Sequence, residues 1–523
     1  MVKKRAYYLS LCLLAVPLVA MADNAPLDPQ SQVQLALTQL AVQCPVLSSR
    51  LDIPGHTLLQ NFYQQQDYET VWSVHGRLSL LQAEIRQLAD DGLNPSDYSS
   101  PDTSANANGV CDDLAISQHY LQALQDLRFG RLLQSRFEPL WRSQEPLVDR
   151  DAQVLTLASS GLQDIAGAFR QARPSLDQYQ NLRRVYARQR QLALLTWRPI
   201  SNGPLLRPDM QDARVPELAQ RLFSEGYLTS PLMEPDNGYT PELVNAVKSF
   251  QLSHSLQADG VIGPGTVKEL NISPAMRREQ LRVNLERFRW LAQDLEPDSV
   301  LVNVAAAQLS VYQNGVPVWQ TRTQVGRAER QTPLLKSVIT RFTLNPTWTI
   351  PPTILREDKL PEIRRDPGFL LKHNLQVLDL EGNPLMAEDI DWSNPGNILL
   401  RQEAGPKNPL GRIVIRFPNP YSVYLHDTPS QALFSKGPRA FSSGCVRVEQ
   451  PLMLRDLLLS PADRARTETL LATGITHEFR LTKPVPILLT YWTAQVDSHG
   501  QVLYVPDVYG LDPALVTALA GHP

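Results

Sequence analysis

The sequence predicts a multidomain α+β protein: a helical N-terminal region, a small three-helix unit, and a mainly β domain with an inserted capping segment. Three observations carry that expectation. The chain has 523 residues, more than one hydrophobic core ordinarily organises. Its apolar period changes from three-and-four to two near residue 299. The run Arg198 to Pro208 (RPISNGPLLRP) is punctuated by Pro and Gly, as linkers are. With 43% hydrophobic and 20% charged residues, the composition is that of a globular protein.

Residues 1–22 read as a secretory signal. Lys3, Lys4 and Arg5 precede an apolar run from Leu9 to Val19, and Ala20-Met21-Ala22 forms a small-residue cleavage site before Asp23. Leu11 before Cys12 fits a lipoprotein signal poorly, and an uncleaved anchor is the alternative. The expected location is the periplasm. Loss of the three leader cations moves the formal charge from −3 to −6. That balance gives no support to nucleic-acid binding, which needs a concentrated basic face.

Residues 23–200 are expected to form a helical scaffold. Leu121, Leu124, Leu127 and Leu132 recur at helical spacing with Phe129 nearby, and breaks fall at Asp91-Gly92-Leu93-Asn94-Pro95 and around Pro101. Cys44 and Cys111 both lie here. In an oxidising compartment they can pair and leave Cys445 free; the alternative is that none pair and Cys445 is merely buried.

A compact unit follows at 214–272. Val215, Leu218, Leu222 and Phe223 form one helix face. Thr240-Pro241 and Gly263-Pro264 are helix starts with Pro at the first helical position. A polar helix over 275–296 then connects to the next domain, with Leu281, Leu285 and Phe288 on one face and Arg277, Arg278, Glu286 and Arg287 mostly solvated.

The β domain is expected over 298–490. Val300, Val302 and Val304 alternate, and Asn314-Gly315 between alternating runs is a strong hairpin signal. Further strand-like runs are Val338–Leu344, Arg412–Phe417, Ser422–Leu425 and Pro486–Gln495. Residues 351–405 are long, Pro-rich and mixed, as insertions over active sites often are. A C-terminal segment, 491–523, remains.

The chemistry concentrates at two residues. Cys445 lies in Ser442-Ser443-Gly444-Cys445-Val446-Arg447, nineteen positions after His426. A thiolate is the nucleophile, and an imidazole can take its proton and return it to a leaving amine. Gly444 permits unusual backbone angles, so N–H groups near Ser443, Gly444 and Cys445 can form an oxyanion hole. Arg447 falls on the same strand side as Cys445 and can grip a substrate carboxylate. Tyr424 shares a strand face with His426 and either lines the site or packs. Asp427 can orient His426, although a backbone carbonyl is at least as good a third member. Trp348 caps the pocket or sits in the core.

The blocks Tyr424-Leu425-His426-Asp427-Thr428-Pro429 and Phe441-Ser442-Ser443-Gly444-Cys445-Val446-Arg447-Val448 resemble the active-site signature of the L,D-transpeptidases, the YkuD-type catalytic domain. Asn345-Pro346-Thr347-Trp348 with Pro351-Pro352, and Asn408-Pro409-Leu410-Gly411, resemble further landmarks of that family. Many members carry His where this chain has Ser443, which assigns the base here to His426. Independently, Val247-Lys248-Ser249-Phe250-Gln251 and Leu256 through Thr266 resemble a type-1 peptidoglycan-binding domain. The whole layout is similar to the large periplasmic YcbB type.

The resemblance implies a two-step exchange on peptidoglycan. Cys445 would attack the third residue of a tetrapeptide stem and release D-Ala. The side-chain amine of a second stem's meso-diaminopimelate would then resolve the thioester into a 3→3 cross-link, without metal or cofactor. The expected partners are stem peptides and glycan strands. The alternatives are a cysteine L,D-carboxypeptidase on the same stems and a non-catalytic wall-binding scaffold. A metal site is not expected: the nine His are scattered and the Cys spacing fits no zinc pattern.

Overall fold

The computed structural model describes residues 28–99, 109–144, 149–192, 197–230, 237–366, 368–497 and 499–521. The leader expected over 1–22 and the break at Pro101 lie outside them.

The alternating runs after residue 299 fold into a closed barrel. Its strands are β1 (Ser299–Asn303), β2 (Gln308–Gln313), β3 (Val316–Gly326), β4 (Leu335–Leu344), β5 (Ile413–Arg416), β6 (Leu425–His426), β7 (Val446–Val448) and β8 (His477–Thr490). They are ordered β4-β5-β6-β7-β3-β2-β1-β8, and β8 pairs back onto β4. That pairing closes the ring, and Trp141–Arg142 of the scaffold adds in parallel beside Leu335–Lys336. The β6–β7 and β1–β8 pairs are parallel and the other neighbours antiparallel. Val300, Val302, Phe342, Ile415, Leu425, Val446 and Leu489 fill the interior. The Asn314-Gly315 turn joins β2 to β3 with both residues at positive φ, 51° and 78°, as a two-residue hairpin of this twist requires.

Two strand expectations need correction. The run Pro486–Gln495 is not one strand: β8 stops at Thr490, and Ala494–Val496 pairs with Val502–Tyr504 in a separate hairpin. Side chains take the backbone groups a ladder would have used. Asn303 exchanges two hydrogen bonds with the Trp492 main chain, both at 3.0 Å. Asn284 accepts from Thr493 N–H at 2.9 Å, and Gln280 donates to the Thr493 carbonyl at 2.7 Å. The Ser422–Leu425 run likewise yields a strand only at Leu425–His426. Ser422 sits at φ 55°, and Asn419 Oδ1 accepts from the N–H groups of both Tyr421 and Val423 at 3.1 Å, closing the segment into a loop. Tyr424 therefore precedes the strand instead of belonging to it.

Between β4 and β5 the chain builds a small body of its own. Four short strands (Trp348–Thr349, Leu375–Leu378, Pro384–Leu385 and Leu399–Gln402) form one sheet. Helices at Pro352–Ile354, Leu360–Arg365 and Phe369–Lys372 close a separate core of Ile350, Leu355, Ile363, Phe369 and Leu400. One turn, Leu355–Lys359, is π-helical, a geometry that recurs at functional sites.

The scaffold is helical around Val110–Phe129, whose Leu121, Leu124 and Leu127 are buried; Leu132 lies beyond its end. Cys44 and Cys111 form a disulfide with Cα atoms 5.5 Å apart, and Cys445 is free. The three-helix unit consists of Val215–Ser224, Pro241–Ser253 and Pro264–Leu270. Thr240 caps the second helix, accepting from Leu243 N–H. Phe223, expected on the buried face, is exposed.

The connecting helix, Pro274–Leu291, overturns an expectation. Arg277, Glu286 and Arg287 are buried and Arg278 is half-buried, because the helix is enclosed by the scaffold, the three-helix unit and the C-terminal segment. The charges are tolerated because they are paired. Arg287 binds Glu138 and Asp512, each at 2.6 Å, Glu286 binds Arg289 at 2.5 Å, and Arg277 binds Glu269 at 2.8 Å. The C-terminal segment packs Trp492, Leu515 and Leu519 into the same interface.

Candidate active site

Four predicted residues meet on one outer face of the barrel. In the parallel pair β6–β7, Leu425 aligns with Val446 and His426 with Arg447. Leu425 and Val446 point into the core, so alternation turns their neighbours outward. Tyr424 and His426 from one segment stand beside Cys445 and Arg447 from the other, forming a square. The Tyr424 and His426 rings meet edge to face at 5.7 Å.

His426 is buried, and burial, with the Arg447 charge second, lowers its pKa to about 3. A neutral ring carries one N–H. Nδ1 lies 2.6 Å from the Asp427 carbonyl, so that nitrogen donates and Nε2 keeps a free lone pair. The Pro409 carbonyl also faces the ring. Asp427's own carboxylate is turned away: Oδ2 accepts from Arg412 N–H at 2.8 Å and Oδ1 from Thr428 N–H at 2.7 Å. Gly411 makes room for it, since a Cβ there would lie 2.3 Å from Oδ2.

Cys445 is half-buried, and burial pushes its thiol pKa up. Bonds from the Tyr424 N–H and hydroxyl, then the charges of Arg447 and Arg416, work against that rise. Among the described residues the thiol makes no hydrogen bond to His426; besides Tyr424 it has a long contact, 3.8 Å, to the Ser422 carbonyl. Both groups are thus held neutral, a base and a protonated nucleophile diagonal to one another.

The backbone around Cys445 is clamped. Gly444 adopts φ 117°, which side chains resist. Its carbonyl accepts from Thr332 Oγ1 at 2.8 Å, and that hydroxyl accepts from Gly326 N–H at 2.9 Å. Tyr509 completes the relay, donating to the Gly326 carbonyl at 2.7 Å and accepting from Thr332 N–H at 3.1 Å. In a trans peptide, C=O and N–H point in opposite directions. Pinning the Gly444 carbonyl therefore aims the Cys445 N–H away from Thr332. Ser442 Oγ accepts from Gly444 N–H at 3.1 Å and donates to the Cys445 carbonyl at 2.5 Å. The Gly444 N–H is thus already used, contrary to its expected place in the oxyanion hole. The N–H groups of Ser443 and Cys445 have no acceptor among the described residues.

Ser443 is linked to the inserted body through Arg330. Arg330 donates to Ser443 Oγ at 3.0 Å, grips Asp358 with two bonds of 2.7 and 2.9 Å, and pairs with Glu357. Arg447 donates to Gln324 Oε1 at 3.0 Å. Trp348 is half-buried and packs against the inserted core. The landmark Asn408 donates to the carbonyls of Pro346 and Glu403 at 2.9 and 3.1 Å, tying together the two ends of the insertion and holding Pro409 against His426.

Comparison with known families bears on the domain that holds these residues. Residues 297–474 match the model of the YkuD family, described as the L,D-transpeptidase catalytic domain. The chain carries an L,D-transpeptidase catalytic domain. Residues 57–185 match a scaffold domain, and residues 211–270 match a "Putative peptidoglycan binding domain". A Haemophilus influenzae protein named "Putative L,D-transpeptidase" is 32% identical over 295 residues, covering 53% of this chain and 59% of that protein. The chain thus aligns with somewhat over half the length of this relative. A Bacillus licheniformis "Probable N-acetylmuramoyl-L-alanine amidase" is 36% identical over 75 residues, covering 14% of this chain and 21% of the other. A solved L,D-transpeptidase from Mycobacterium smegmatis is 15% identical, covering 36% of this chain and 57% of that one, with a TM-score of 0.17, too low to bear on the fold.

Around this site, Thr332, Arg330, Gln324 and Tyr509 escape sequence reasoning. Their partners are remote: 112 residues separate Thr332 from Gly444, and 183 separate Tyr509 from Gly326. Tyr509 lies beyond the matched catalytic domain. Among the described residues, no cluster of three His, Cys, Asp or Glu is placed to hold a metal, and no helix is long and apolar enough to cross a membrane.

Proposed function

We propose that the protein is a peptidoglycan L,D-transpeptidase, exported to the periplasm, that joins two stem peptides by a 3→3 link through a thioester on Cys445. The square of Tyr424, His426, Cys445 and Arg447 carries this reading, above all the neutral His426 with Nδ1 on the Asp427 carbonyl. Substrate binding draws the thiol and Nε2 together, as catalytic hydrogen bonds commonly tighten only in the complex. His426 takes the thiol proton as the sulfur attacks the carbonyl carbon of the donor's third residue. The Cys445 and Ser443 N–H groups receive the developing oxyanion, a contribution of about 10²–10³ in rate per donor. The C–N bond then breaks, and His426 returns the proton to the departing D-Ala amine.

In the second half, His426 takes a proton from the acceptor's diaminopimelate amine. The amine attacks the thioester, the C–S bond breaks, and the thiol is restored. The three-helix unit supplies a hold on the wall polymer. With purified tetrapeptide-stem muropeptides, the full chain is expected to release D-Ala and form 3→3 dimers, read by mass spectrometry. Cys445→Ala is expected to do neither. Dimer formation by that variant would remove Cys445 from the reaction, and D-Ala release without dimers from the native chain would favour carboxypeptidase action.

A further inference from the structure

Beside the nucleophile, on the Tyr424 side, lies a cavity of about 330 Å³ lined by Arg341, Arg416, Phe417, Pro418, Ser422 and Tyr424. Its two arginines differ. Arg341 is paired with Glu478 at 3.2 Å. Arg416 has no carboxylate within 4 Å among the described residues, although it is half-buried. Its one protein hydrogen bond among the described residues runs from Nε to Thr343 Oγ1, at 2.7 Å. The Thr343 hydroxyl spends its own proton on Glu478, at 2.6 Å, so it presents only a lone pair to Arg416. The guanidinium stacks near the Tyr424 ring, 5.3 Å from its centroid. Anchored at Nε and backed by the ring, the side chain keeps both Nη groups uncommitted, the planar fork that suits a carboxylate.

We infer that Arg416 and this cavity form the subsite for the C-terminal carboxylate of the donor stem, the anion next to the bond that breaks. The inference rests on the transpeptidase reading and names which charge the site recognises. Geometry favours that anion. A reacting carbonyl sits about 3–3.5 Å from the sulfur, and the next Cα lies about 3.8 Å beyond the previous one. The terminal carboxylate is thereby confined to the immediate surroundings of the thiol. Two guanidinium groups reach Cys445 with their fields, Arg447 and Arg416. Arg447 is committed to Gln324 beside His426 and must leave the imidazole free to move its proton. Arg416 opens instead onto empty volume.

The test compares two donor tetrapeptides that differ only at the C-terminus, free carboxylate or carboxamide. Cys445 acylation is followed by intact-protein mass, and iodoacetamide labelling checks that each variant keeps a folded, reactive thiol. The native chain is expected to prefer the carboxylate donor by about 10- to 100-fold in kcat/KM, the range of a charge-assisted bond. Arg416→Gln is expected to bring that ratio near one, and Arg416→Lys to keep part of it. An unchanged ratio in Arg416→Gln overturns the subsite, as does a native chain that acylates both donors equally. A native chain that labels with iodoacetamide yet acylates with neither donor overturns the transpeptidase reading itself.

Discussion

The connecting helix and the active site both bury arginine, and they treat it in opposite ways. On the helix, Arg287 is fully buried between two carboxylates, and Arg289 faces Glu286. At the site, among the described residues, Arg447 bonds the amide of Gln324 and Arg416 the hydroxyl of Thr343, and neither meets a carboxylate. A buried charge with its counter-charge supplied by the chain is a joint between domains. A partly buried charge without a counter-charge, as at Arg416, is what the proposed carboxylate subsite requires. The contrast lies in the partners, because both sets are built from the same residue type.

The largest expected effect lies on the helix. Glu138→Ala leaves Arg287 with half its compensation and is expected to cost about 3–5 kcal/mol in chemical denaturation of the full chain. Arg416→Ala should cost far less, since no carboxylate is orphaned. Equal losses would break the comparison. Thr332→Val comes next. It removes the bond that pins the Gly444 carbonyl, a loss of about 1–3 kcal/mol. The Cys445 acylation rate should fall more than the melting temperature, with Thr332→Ser restoring it; loss of stability alone would make the relay structural.

The pH dependence sharpens the site side of the contrast. Because the His426 pKa is lowered to about 3, the imidazole stays neutral as pH falls from 8 through 5. Cys445 acylation by a donor peptide should therefore run flat across that range, where an unperturbed histidine would halve it near about 6.5. A break near that value would show that the ring is solvated during turnover. The smallest effect belongs to a pair that is neither joint nor site. Arg322 and Glu449 are linked across the surface, and Arg322→Ala should change stability by under about 1 kcal/mol, less in high salt.

What the sequence discloses follows how local each cause is. The Asn314-Gly315 hairpin and the Thr240-Pro241 helix start rest on neighbouring residues and can be read directly. Cys445 and His426 stand out because their family signature is contiguous. Arg287 does not, because its burial depends on Glu138 and Asp512, which lie 149 and 225 residues away. A polar helix exposed to water and one sealed by ion pairs have the same pattern in one dimension. Tyr509 and Thr332 are hidden for a similar reason: a hydroxyl in a loop gives no sign of the carbonyl it will meet.

One contact outside the chemistry has a mechanical consequence. Gly437, on the loop that leads to Cys445, faces the Ser255–Gln257 turn of the three-helix unit so closely that a Cβ would lie 2.7 Å from the Leu256 carbonyl carbon and the Gln257 nitrogen. The two bodies meet main chain to main chain, with no side chain between them to act as a spring. Where that unit grips a polymer, its span to the thiol becomes a gauge length. Which stems are presented for reaction would then follow from the repeat of the polymer, as teeth are chosen by the pitch of a rack.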